Sequence, residues 1–276
     1  MSSFRVFSLT VLHAALLASA VPAQERLFPT GRSFELPGAS PRVYGLVARL
    51  ISARQGDSRF GPEREGEVVL GENIPLVTLK RGERPIVLGF GSQVYGRFSL
   101  TDSKSALIST DWVVGVNTTA ALTPWIFTLE VFHESSHLGD EYGDRFPADR
   151  IDWTREVLAG WASYVADSWR FTAGTSYSLV DQLSLPAWGG SFGIDYQGGA
   201  RGFLGGQVRP VLGVFTEARA ATSWRVSTSA KLALAFATDN TQDFSIGLIA
   251  HDGLSTQRQF FRQESTYVGF ELRFDL

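Results

Sequence analysis

Cysteine is absent from the chain and methionine occurs once. A disulfide scaffold is therefore excluded, and so is anchoring as a lipoprotein, which needs a lipidated cysteine. Charge is scarce and balanced: charged residues make up 19%, with 25 basic against 28 acidic side chains and a net charge of −3. No global field draws such a chain to nucleic acid. Beyond the first two dozen residues, no uncharged apolar run approaches the ~18 residues a spanning helix needs. The 28 glycines follow no collagen-like period, and a 44% hydrophobic content is too high for a disordered polypeptide. If this chain crosses a membrane, it does so as a barrel of strands.

The start of the chain reads as a secretory leader. Arg5 precedes an apolar centre from Val6 to Leu17, and Val21-Pro22-Ala23 supplies the small residues of a cleavage site. We expect a signal peptide over residues 1–23, an N-terminal extension over 24–41 and a single barrel over 42–276.

From about Arg42 onward the sequence alternates apolar and polar residues, with breaks rich in glycine, proline, aspartate or serine. That is strand periodicity. It is clearest at the end, where Val268, Phe270, Leu272, Phe274 and Leu276 alternate with Gly269, Glu271, Arg273 and Asp275. It recurs in Leu88, Phe90, Val94 and Phe98, and in Trp169, Phe171 and Tyr177. Segmenting by this rule predicts an all-β fold, a transmembrane antiparallel barrel of about twelve strands, each of the ~9–11 residues a tilted strand needs to cross a bilayer. Short breaks near Arg81-Gly82, Thr123-Pro124, Ala166-Asp167, Gly198-Gly199 and Asp239-Asn240 alternate with longer connections, notably Leu138 to Arg155 and Asp252 to Gln263. Short periplasmic turns and long outer loops produce that alternation. The expected location is the bacterial outer membrane. Its lipid and lipopolysaccharide are the expected partners, with the barrel-assembly machinery reading the C-terminal strand. The seven tryptophans suit an aromatic girdle.

The segment richest in chemistry is His133-Glu134-Ser135-Ser136-His137-Leu138-Gly139-Asp140-Glu141-Tyr142, followed by Asp144. Three chemistries compete for it. His133 to His137 is a literal H-E-x-x-H, and with Glu156 downstream it could hold zinc, provided a helix puts both histidines on one face. The preceding alternation of Trp125, Phe127, Leu129 and Val131 with Thr128 and Glu130 favours a strand. A strand spaces the two histidines about 13 Å apart.

On a strand His133 and Ser135 face lipid at the outer rim while Glu130 and Glu134 face the lumen. There Ser135 could act as nucleophile and His133 as base in acyl hydrolysis. Asp140, Glu141, Asp144, Asp152 and Thr154 are the candidates for the residue that orients the histidine. The third chemistry is cation binding, with calcium suited to the hard oxygens of Asp140, Glu141 and Asp144, and with His137 as a neighbouring structural or loop residue. Against all three stands a rim device: polar groups bonding loop backbone, Gly139 turning the chain, and carboxylates keeping the loop soluble. His251, near a strand end, reads as an interface histidine.

His133 through Tyr142 resembles the H-Q-S-S-H-L-G-D-E-[YF] signature of a bacterial family designated as a domain of unknown function. The resemblance extends to Gly96-Arg97-Phe98-Ser99-Leu100, Ile108-Ser109-Thr110-Asp111-Trp112, Gln259-Phe260-Phe261 and Tyr267-Val268-Gly269. That family commonly has glutamine where Glu134 stands. A looser resemblance links the stretch to outer-membrane phospholipase A, a twelve-stranded barrel with an H-Q-S-N-G-R-S motif and a lipid-facing catalytic pair. It implies His133 as base and Ser135 as nucleophile of a lipid acyl hydrolase. Ser136, His137 and Leu138 depart from that motif, and Thr154 after Trp153 is the nearest match to its third catalytic residue. The alternatives are a non-catalytic surface barrel whose acidic loop binds cations or partners, and a zinc metallopeptidase.

Overall fold

A computed structural model describes residues 24–55, 64–81, 84–101, 104–145, 150–198, 207–237 and 243–274. The leader assigned to 1–23 and the last two residues lie outside them. The strands are β1 (Gln24–Leu27), β2 (Leu46–Gln55), β3 (Arg64–Arg81), β4 (Arg84–Ser99), β5 (Leu107–Leu122), β6 (Trp125–Leu138), β7 (Trp153–Ala166), β8 (Trp169–Asp181), β9 (Trp188–Gln197), β10 (Val208–Arg219), β11 (Val226–Ala237), β12 (Asp243–Leu254) and β13 (Glu264–Phe274). One short helix, α1 (Asp140–Arg145), sits between β6 and β7.

Strands β2 to β13 pair antiparallel with their sequence neighbours, and β13 pairs with β2, which closes a twelve-stranded barrel. Closure removes the two long open edges that a flat sheet of these twelve strands would offer another chain. The lower part of β3 extends past β2, and β1 covers it, Gln24 opposite Lys80 and Leu27 opposite Val77.

The predicted alternation is realised as two faces of opposite character. Outside, large apolar side chains are exposed along every wall strand sampled: Val116 at 57%, Leu129 at 50%, Leu232 at 54% and Phe270 at 61%. A surface so continuously apolar far exceeds what a water-soluble monomer tolerates. Inside lie the ions. Arg49 pairs with Glu67 and Glu271, Arg97 with Glu65 and Glu67, and Lys231 with Glu271. Buried charges persist where each is paired and hydrogen-bonded, as these are.

Aromatic pairs ring the turn end, with Trp125 against Tyr164 at 5.1 Å between ring centroids and Trp169 against Tyr196 at 4.9 Å. Tyr177 and Trp188 meet in the same way near the loop end, 4.9 Å apart. Eight residues of β8 separate Trp169 from Tyr177, about 26 Å along a strand and about 20 Å across a layer at ordinary barrel tilt. Two tryptophans depart from the expected girdle. Trp153 is 1% exposed and points into the lumen, and Trp161 also faces inward, stacking on Phe34 at 5.6 Å.

The lumen is filled from both ends. From the turn end, the segment 28–45 enters the barrel and from Ser33 onward runs up inside the wall, a course the sequence pattern did not disclose. Gly38 N–H donates to Asp195, Arg170 donates to the Leu36 carbonyl, and Tyr44 hydroxyl donates to Glu130. Wall glycines make room: a Cβ on Gly193 would lie 2.6 Å from Pro37, and one on Gly91 would lie 2.6 Å from the Tyr44 hydroxyl. From the loop end, residues 255–261 fold inward and are all buried. Phe260 packs with Ile108, Leu138 and Tyr142, and Phe261 lies 4.9 Å from the Trp153 ring.

Candidate active site on the outer wall

The motif from His133 to Leu138 is strand throughout. Alternation therefore divides it between two environments. Glu134, Ser136 and Leu138 are buried inside, whereas His133 and Ser135 are half-exposed outside and His137 is exposed. The inner half is structural. Glu134 accepts from Arg42 at 2.9 Å, Arg258 Nε at 2.8 Å and Trp153 Nε1 at 2.9 Å. Ser136 donates to Asp111, which also takes Arg42 at 2.6 Å, and the Ser136 carbonyl accepts from Gln259 at 2.9 Å.

The same interior gathers residues from segments far apart in the sequence. Arg97, Asp111, Ser136, Gln259 and Tyr267 all contribute to packing inside the upper lumen. Gly139 completes the arrangement. Its N–H donates to the Ile108 carbonyl at 2.9 Å, and a Cβ there would sit 1.9 Å from the Leu107 carbonyl oxygen.

The outer half is different. β6 pairs with β7 so that His133 lies opposite Glu156 and Ser135 opposite Thr154. His133 Nδ1 and Glu156 Oε1 are 2.8 Å apart. A carboxylate on Nδ1 fixes the proton there and leaves Nε2 as the basic nitrogen. Ser135, two residues along the same face, has its Cα about 7 Å from that of His133, within rotamer reach of its ring. Trp112 of β5 stands opposite Ser135 on the other side and is half-exposed. Below them Val131, Leu129, Phe127 and Trp125 continue the apolar outer wall.

None of the five residues expected in the orienting role meets His133. Asp140 pairs with Arg150 at 2.9 Å, Asp152 accepts from Thr154 at 3.1 Å, and Glu141 and Asp144 are exposed on α1. The residue that does meet it, Glu156, entered the sequence reading only as a metal ligand. Outward alternation on β7 marks it as lipid-side, but its pairing with His133 depends on the register of β6 and β7.

The metal alternatives find no assembled ligand set. Zinc held jointly by His133 and His137 needs a helix, and these residues are four apart on a strand, about 13 Å. No group of three or more histidines, aspartates or glutamates is gathered for a metal among the described residues, Asp140, Glu141 and Asp144 included. His251 is buried, bonded to Ser229 at 2.8 Å and the Leu254 carbonyl at 2.9 Å, with its ring on Tyr267. Its role is packing within the lumen.

A closed barrel of twelve strands with an apolar exterior and a charged, plugged interior defines the outer-membrane barrel class. Within that class, the chain belongs to the family described as protein of unknown function (DUF1207), which matches residues 10–276. No curated protein sequence matches significantly. Among solved structures it is similar to the Salmonella typhi outer membrane phospholipase dimer with bound calcium, at 13% identity and a TM-score of 0.59, covering 87% of this chain and 92% of that one. It is also similar to outer membrane phospholipase A from Escherichia coli, at 15% identity and a TM-score of 0.55, covering 83% and 90%. At such identities the likeness is one of fold.

Proposed function

We propose that this protein is an outer-membrane lipid acyl hydrolase with Ser135 as nucleophile, His133 as general base and Glu156 as the carboxylate that orients the imidazole. The observation that carries the proposal is the 2.8 Å contact between His133 Nδ1 and Glu156 Oε1, on the apolar outer face beside Ser135. A histidine, a serine and a carboxylate facing hydrocarbon have no role in filling the lumen. The likeness in fold to outer membrane phospholipase A supports the same reading.

The chemistry follows from the positions. Ser135 Oγ attacks the carbonyl carbon of an acyl ester as its proton passes to His133 Nε2, and Glu156 stabilises the imidazolium. His133 returns that proton to the departing alcohol oxygen. Water, deprotonated by His133, then splits the acyl-serine ester and releases the fatty acid. The substrate reaches Ser135 sideways from the bilayer, along Trp112 and Val131. Lipopolysaccharide is the lipid facing the loop end, and assembly into the membrane proceeds through β13.

The test uses the purified barrel in detergent–phospholipid mixed micelles. Wild-type protein releases fatty acid and is labelled by a fluorophosphonate probe, and Ser135→Ala loses both. Absence of both signals from folded wild-type protein, or equal signals from the variant, refutes the assignment. The remaining reading is then a non-catalytic surface barrel, for which the exposed Glu141 and Asp144 offer a cation-binding or partner-binding surface.

A further inference from the structure

The inward fold of residues 255–261 fills one side of the upper lumen and leaves a chamber on the other. Its cavity volume is about 150 Å³, and the N-terminal segment forms its floor through Ser40, Pro41 and Arg42. Pro186, Ala187 and Ala221, from connections at the loop end, lie on its lining and set the mouth on that side. With its floor closed, the chamber is a cup rather than a passage.

Four guanidinium groups line it, those of Arg42, Arg155, Arg219 and Arg258, against three carboxylates, Glu130, Glu134 and Glu217. Each carboxylate is already engaged. Glu134 takes Arg42, Arg258 and Trp153, Glu217 takes Arg219 at 2.8 Å, and Glu130 takes the Tyr44 hydroxyl at 2.6 Å. The donors are not exhausted. Arg258 is 5% exposed, and its Nη1 is buried with no hydrogen-bond partner. A buried guanidinium N–H left unpaired is costly, and the group that answers it best is an oxyanion, which accepts from planar N–H donors in pairs. The neighbours sharpen this: burial, followed by the charges of Arg219 and Arg42, pushes Arg258 down to about 10 against the opposing pull of Glu134 and Glu217, so it remains a cation at neutral pH. Phe132 and Trp161 provide apolar lining beside these charges.

We propose that this luminal cup is a second binding site, for a small anion whose carboxylate or phosphate group is held between Arg258 and Arg219. It is separate from Ser135, which lies on the other side of the wall, and it does not depend on the hydrolase assignment.

The experiment uses the full mature chain, refolded in detergent free of lipopolysaccharide and titrated with inorganic phosphate and with acetate against chloride at constant ionic strength. Tryptophan fluorescence and the melting temperature report binding. The expected result is a saturable fluorescence change and a rise in Tm with phosphate, acetate or both, the better ligand identifying the headgroup. Arg219→Gln, at a half-buried position, and Arg258→Lys, which retains a cation beside Glu134, should each weaken binding at least tenfold. Ser135→Ala and the rim variant Arg225→Gln should bind as wild type. The proposal is overturned if neither anion acts beyond chloride, if both luminal variants bind as wild type, or if Arg225→Gln removes the response.

Discussion

Glu134 offers a measurable division between structure and chemistry, because the zinc reading of its motif makes it the catalytic base while its contacts make it the centre of a luminal knot. In Glu134→Ala, three donors lose their acceptor at once: Arg42, Arg258 and the Trp153 indole. Arg42 keeps Asp111 at 2.6 Å, so its charge remains compensated. Arg258 loses the carboxylate it bonds through Nε and becomes a buried cation without that counterion. Removing one partner of a buried ion pair costs about 3–5 kcal/mol, and an unsatisfied buried N–H about 1–3 kcal/mol. These terms overlap, so we expect a loss of about 4 kcal/mol. Glu134→Gln keeps a carbonyl oxygen for one or two of the donors and loses only the charge, which should cost about half as much. Urea unfolding of the detergent-folded barrel, followed by tryptophan fluorescence and heat-modifiable gel mobility, measures both. An alanine variant within ~1 kcal/mol of wild type, outside the range for a broken buried pair, would refute the reasoning, as would a glutamine variant less stable than alanine. Activity gives the second arm: Glu134→Gln should retain fatty-acid release, which a base at this position could not do.

On the outer face, Glu156→Ala should lower the rate of hydrolysis by about 10²–10⁴-fold, with Glu156→Gln falling between it and wild type; initial rates in mixed micelles decide, and an unchanged rate removes Glu156 from the mechanism. In single-tryptophan variants reconstituted with brominated acyl chains, Trp125 should be strongly quenched and Trp153 protected, since one faces outward and the other is 1% exposed; equal quenching would contradict the sidedness of the wall. Deleting residues 28–45 should convert the sealed barrel to an ion-conducting one in planar bilayers, because it withdraws the segment bonded to Asp195, Glu130 and Asp111. A deletion variant that folds and remains silent would show that the inward loop alone closes the lumen.

The barrel was legible in the sequence because a period of two is local. Val268 to Phe274 and Trp125 to Val131 announce which residues face hydrocarbon without reference to any other strand. The lipid-side placement of His133 and Ser135 follows from the same periodicity. What alternation cannot supply is register. Glu156 meets His133 because β7 pairs with β6 at one offset and not at another. Thr154, Asp152 and Glu156 were equally near in sequence, and only strand pairing separates them. The plug was illegible for another reason. Residues 28–45 carry no periodicity, and their burial is determined by the cavity they enter, through partners 69 to 157 residues away. Trp153 belongs with them: its chain position suits a girdle, but its indole N–H is answered by Glu134 inside.

The two faces of one short strand can therefore serve separate ends without interfering. A change at Glu134 or Ser136 is felt by Arg42, Arg258 and Gln259, all on the inner side, and a change at Ser135 is felt by whatever occupies the membrane beside Trp112. A filled lumen is consistent with this division, since a barrel that conducts would need its interior for solute. The interior here is filled behind His133 and Glu156, whose 2.8 Å contact depends on the register of β6 and β7. Arg155 lies between Thr154 and Glu156 on β7 and turns inward to Asp181 of β8, 2.9 Å away, which ties the strand bearing the carboxylate to the next one. The inward knot and the outward pair thus share one strand and are linked through backbone position alone.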